Sequence, residues 1–155
     1  MNNPSPSAPV YALPGAASLV FQRSHIVGLP FNEVLKRLRA EIETAQFWNL
    51  YEIDPQALLS KDGYRIGPAR QILFFHPRYV VRILAADPTA LLEAPLKVAM
   101  LELPDGKTLV RWNDAAAAFA RYGNPALTVL GKELADSCQN IAAAALEASP
   151  GSEQA

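Results

Sequence analysis

The chain has 155 residues, half of them apolar and 19% charged, with a formal net charge of −1. That length suits one domain that buries its apolar surface without disulfides, and 14 basic residues with no dense run exclude a nucleic-acid footprint. No apolar run approaches the roughly 20 residues of a membrane span. Cys138 is the single cysteine, which rules out an internal disulfide and suits a reducing compartment. The N-terminus lacks the basic and apolar regions of a secretory signal, so the expected location is cytoplasmic.

In chain order, residues 1–15 are rich in Pro, Ser and Ala and read as an N-terminal tail, as do residues 148–155 at the other end. The domain is expected over residues 16–147. "SLVFQRS", Ser18–Ser24, has the aromatic and β-branched content of a first strand. From Pro30, which suits a first helical position, the residues Phe31, Val34, Leu35, Leu38, Ile42 and Ala45 recur at helical spacing opposite a charged face. "FWNLYEID" predicts a strand ended by Asp54-Pro55, and "PQALLSKDG" a short helix stopped at Gly63. "RQILFFH" is an apolar strand whose lack of alternation predicts burial on both faces. Pro77 then opens the helix "PRYVVRILAA", and Asp87-Pro88 caps a further short one.

"LKVAMLELPDGKTLVRW" is a hairpin, with turn chemistry from Pro104-Asp105-Gly106. Asp114 caps "AAAAFARY", Gly123 ends it, and Asn124-Pro125 opens a last helix with Leu127, Leu130, Leu134, Cys138 and Ile141 on one stripe. Five strands, one pair a hairpin, and two longer helices predict an α+β fold. A single curved, mainly antiparallel sheet would pack against helices that include the long C-terminal one.

The apolar strand ending in X-Pro, "ILFFHP", followed by "EAPLKVAMLELPDGKTLVRWND" and an Ala-rich helix, resembles the Domain of Unknown Function 302 family over roughly Ser18 to Leu146. The resemblance implies a compact α+β domain, often a homodimer, and no settled activity. Many members carry Asn before that proline, where this chain has His76. Some are associated with haem binding as dimers through a histidine.

The chemistry-bearing residues are few. His25, His76 and Cys138 fall on different elements with no HxxxH, HxH or CxxC spacing, which disfavours zinc. No Gly-x-Ser-x-Gly elbow or carboxylate pair supports hydrolysis, and the glycines of "GYRIG" precede no helix that would hold a phosphate. Cys138, Met100 and His25 read as packing residues.

What remains is the stretch "QILFFHPRYVVR". Non-covalent haem b needs an axial ligand, an apolar slot and cations for the propionates. His76 would be the metal ligand, Arg78 and Arg82, one helical turn apart, would meet the propionates, and Phe74, Tyr79 and Ile83 would line the slot. The expected function is thus a homodimeric ligand-binding protein, with haem as cofactor. The alternatives are a small enzyme with a pocket between sheet and last helix, and a module that only dimerises. A histidine before proline can equally cap the helix that follows.

Overall fold

The structure is a computed structural model in which residues 19–147 are described. The chain runs β1 (Gln22–Val27), α1 (Phe31–Thr44), β2 (Trp48–Ile53), α2 (Pro55–Ser60), β3 (Ala69–Phe75), α3 (Pro77–Ala86), a 3-10 helix (Pro88–Glu93), β4 (Leu96–Glu102), β5 (Thr108–Asn113), α4 (Ala115–Ala120) and α5 (Pro125–Leu146). The strands form one sheet in the order β1-β5-β4-β3-β2. Every neighbouring pair is antiparallel. The α+β architecture expected from the element order is the one observed.

Local chemistry starts most of these helices. Asp54, Asp87, Asp114 and Asn124 each accept a backbone N–H of the helix that follows, as N-cap side chains do. Proline at the first turn assists α2, α3, the 3-10 helix and α5, where its missing N–H leaves nothing unpaired. The β4–β5 hairpin turns at Gly106, whose φ of +81° suits glycine, while Asp105 Oδ1 accepts from Lys107 N at 3.0 Å.

Two expectations shift. β1 begins at Gln22, not Ser18, because its pairing with β5 starts at Gln22↔Asn113, while Leu19 and Gln22 close a turn through Gln22 N to Leu19 O at 3.1 Å. Ser18 itself, like both proposed tails, lies outside the described residues. β3 is buried mainly on one face, with Ala69 at its start the one buried residue of the other. Ile72 and Phe74 are buried, but Gln71, Leu73 and Phe75 between them are only half-buried. Its apolar run had suggested a strand covered on both sides.

The core lies between the sheet and the helices. Ile72, Phe74, Val98, Met100, Val110 and Trp112 share one sheet face by register and meet the apolar stripes of α1 and α5. Leu127, Leu130, Leu134, Cys138 and Ile141 are all buried, as the stripe predicted. Each such side chain contributes on the order of 1.5–3 kcal/mol. α4 closes tightly on α5 at Gly131. A Cβ there would stand 2.8 Å from Phe119 Cβ and 2.9 Å from Ala115 O, so a larger residue must push the helices apart.

Candidate functional site

His76 ends the apolar strand and is the N-cap of α3, its Nδ1 accepting from Arg78 N at 3.1 Å. Its ring packs edge-on against Phe47 (centroids 5.6 Å apart) and Tyr79 (5.3 Å). A capping histidine must keep Nδ1 free of a proton, which leaves Nε2 to carry it. The imidazole is therefore doing structural work at two points, the helix start and the aromatic cluster.

The companions predicted for it are also committed. Phe74, Tyr79 and Ile83 are buried in the core, where they pack against other residues and line no open slot. Arg82 is paired with Glu133 of α5, Nη2 to Oε1 at 3.2 Å with Nη1 on the other carboxylate oxygen. That hydrogen bond is the main reason the Glu133 carboxyl lies below its usual range, and the Arg82 and Arg78 charges add to it. Arg78 and Arg82 do share a helix face, and both guanidiniums lie over Tyr79, at 5.5 and 5.6 Å from the ring centroid. Of the groups predicted to meet the iron and the propionates, only the Arg78 guanidinium and the Nε2 of His76 have no hydrogen-bond partner among the described residues. Two groups do not make a haem site, because the macrocycle needs an apolar slot and free cations together. These residues do not fit haem. No group of three or more His, Cys, Asp or Glu side chains is placed to hold a metal ion among the described residues.

The interior of the other candidate pocket, between the sheet and α5, is packed, and a cleft of about 220 Å³ opens only at its edge, lined by Arg23, Trp112, Asp114, Ala135, Asp136 and Gln139. A cavity of about 20 Å³ remains in the interior, walled by apolar residues including Phe74, Trp112 and Cys138. That is about the room for one water, and a wall without polar groups keeps it dry. Burial pushes the Cys138 thiol up to about 12, so it stays protonated and behaves as a small apolar side chain.

The two faces of the sheet differ sharply. Every helix-side position named above is covered, whereas the opposite face has no core cluster on it. The register sets that open face in four rows. Ile26, Leu109, Leu101 and Ala69 form the first, and Ser24, Arg111, Ala99, Gln71 and Ile53 the second. Gln22, Asn113, Lys97, Leu73 and Tyr51 form the third, and Phe75 and Trp48 a short fourth. Ile26, Trp48 and Tyr51 are 53%, 57% and 67% exposed. Trp48 leans edge-on against Phe75, with centroids 5.3 Å apart. Near the middle, Arg111 Nε is enclosed and has no hydrogen-bond partner among the described residues.

Sequence reasoning missed this face. Its signal was available in β2, where Trp48, Leu50 and Tyr51 are too apolar for an exposed edge strand. A register shift between Asn49 and Tyr51 hides the alternation.

The model of the family described as "Domain of unknown function DUF302" matches residues 23–145. The chain belongs to this family. No curated protein matches it. Among solved structures, the crystal structure of an uncharacterized conserved DUF302 protein from Bacillus stearothermophilus is similar, with a TM-score of 0.73 at 17% identity, covering 79% of this chain and 96% of that one. The DUF302 fold is thereby shared, and at that identity the likeness speaks to the fold alone. No helix among the described residues is long and apolar enough to cross a membrane.

Proposed function

We propose that this DUF302 chain works by association, as one half of a homodimer joined through the open face of its sheet. The observation that carries the proposal is that face itself, where Ile26 of β1 and Trp48 and Tyr51 of β2 stand exposed at the two edges and Leu73, Phe75 and Leu101 between them are half-buried with no element over them. Large apolar side chains left exposed on one sheet face mark a binding surface when they act together, as Trp48, Tyr51 and Phe75 do at the β2–β3 edge.

Size supports the same reading. A five-stranded face six residues tall measures about 24 Å by about 20 Å, on the order of 500 Å². Two such faces together remove on the order of 1,000 Å² from water, the lower bound for specific association. Sheets packed face to face are also an ordinary way to build a core. The alanine runs are largely engaged within the chain. "AAAAFA" packs on α5, and Ala142 and Ala145 of "IAAAAL" are buried within the same chain.

Sedimentation equilibrium tests the proposal. The wild-type chain is expected to sediment as a dimer. Trp48→Lys and Ile26→Lys, both on exposed positions, are expected to give folded monomers with unchanged far-ultraviolet circular dichroism. A wild-type monomer at tens of micromolar, or a dimer that both lysines leave intact, would overturn it.

A further inference from the structure

Beside the C-terminal end of β5 the surface is concave. Two clefts, of about 550 and 190 Å³, meet there over Glu93, Asn113 and Ala118. The larger is within the size range of small-molecule sites. Its floor is the exposed side of α4, where Ala117 and Ala118 provide a surface with no long side chain to fill the space. The run "AAAAFA" thus has two uses: Ala115 and Phe119 pack inward, and the alanines between them leave a hollow.

The walls differ in chemistry. On one side Glu93 is held in place, accepting from Arg121 at 3.1 Å and from the Tyr122 hydroxyl at 2.9 Å. That pair is internally neutral. Across from it Lys97 has no carboxylate within ion-pair distance among the described residues. The amides of Asn113 and Gln22 touch only each other, at 3.4 Å, and so retain donor capacity. The apolar part of the wall is Phe21 and Leu92, which are 51% and 90% exposed, with Leu96.

We infer that this cleft is a binding site for a small organic anion with an apolar or aromatic body. The ammonium of Lys97 and the two amides receive the anionic head, while Phe21 and Leu92 cover the body over the alanine floor. The charge balance selects the class. With Glu93 engaged by Arg121, and Asp114, the other carboxylate of the wall, engaged by Arg23 at 2.7 Å, Lys97 is the unpaired charge that the cleft presents, and an amine of the same shape would meet it unfavourably. Gln22, Asn113 and Lys97 belong to the last row of the open face at this end of the sheet, so the site borders the proposed dimer face and does not itself require the sheets to pair.

Benzoate is the probe, followed by amide chemical shifts in a nitrogen-15 correlation spectrum of the full chain. Saturable shifts are expected at Gln22, Lys97, Asn113 and Ala118, with affinity falling about tenfold in Lys97→Ala. Ala118→Leu, which raises the floor, is expected to abolish saturation while its melting temperature stays within a few degrees of wild type. Benzylamine, the cation of similar shape, is expected to give no saturable change. The inference falls if benzoate shifts gather elsewhere or never saturate, if benzylamine behaves like benzoate, or if inorganic phosphate alone saturates the same amides as tightly. Repeating the titration on Trp48→Lys, altered at the far corner of the sheet, separates this result from that of the dimer test.

Discussion

The two faces of the one sheet share strands, hydrogen bonds and residue types, yet they are in opposite situations. Toward the helices, Ile72, Met100 and Val110 are 0%, 1% and 0% exposed, sealed by α1 and α5. Toward solvent, Trp48, Tyr51 and Ile26 stand open although they are as apolar. Burial is therefore decided by what the other elements cover, and hydrophobicity alone does not distinguish a core from an interface. The buried face supplies the stability of the chain, and the open face is the surface that the proposed dimer would use.

Adjacent residues of β3 break this comparison most directly. Ile72→Ala, on the helix side, is expected to cost about 2–5 kcal/mol, because the site is packed on all sides and the cavity cannot collapse. Leu73→Ala, one residue along and on the open face, is expected to cost on the order of 1 kcal/mol or less in the monomer. The same change should weaken self-association several-fold. Urea unfolding and sedimentation of both variants read the two quantities separately. Equal losses of stability would show that the open face is covered within the chain.

A smaller effect belongs to His76. His76→Ala removes the N-cap of α3 and two aromatic contacts, an expected loss of about 1–2 kcal/mol. Hemin added to the wild type and to this variant is expected to give the same visible spectrum. A Soret shift present only with the histidine would restore the ligand role that the packing argues against.

The smallest effect concerns pH. Arg82 holds the Glu133 carboxyl below its ordinary value in the fold, chiefly by hydrogen bonding. A depressed carboxylate contributes stability above its unfolded pKa and loses it as pH falls through the folded one. The melting temperature of wild type should therefore exceed that of Glu133→Gln slightly at neutral pH, and the gap should close on acidification. Both partners are substantially exposed, so the gap is modest and shrinks with salt. A gap that persists unchanged at low pH would exclude the ion pair as its source.

Much of the fold was legible because its signals are local. An N-cap residue followed by proline announces a helix within three positions, as at Asp54, Asp87 and Asn124, and the amphipathic spacing of α1 and α5 identifies their buried faces. The candidate site was less legible. His76 stood out by its neighbours in sequence, and the capping role it performs is itself a local one. What disposed of its companions was distant. Arg82 meets Glu133 from a helix 51 residues away, and Tyr79 and Ile83 turn inward because α3 lies against α5.

By itself, then, the sequence determined the elements, their caps, the hairpin and the apolar stripes, since each depends on residues a few positions apart. Only the tertiary structure decided which sheet face the helices cover, which arginine is already neutralised, and that the alanines of α4 leave a hollow beside β5. Those outcomes depend on where elements far apart in the chain come to rest, and periodicity within one element carries no information about its neighbours.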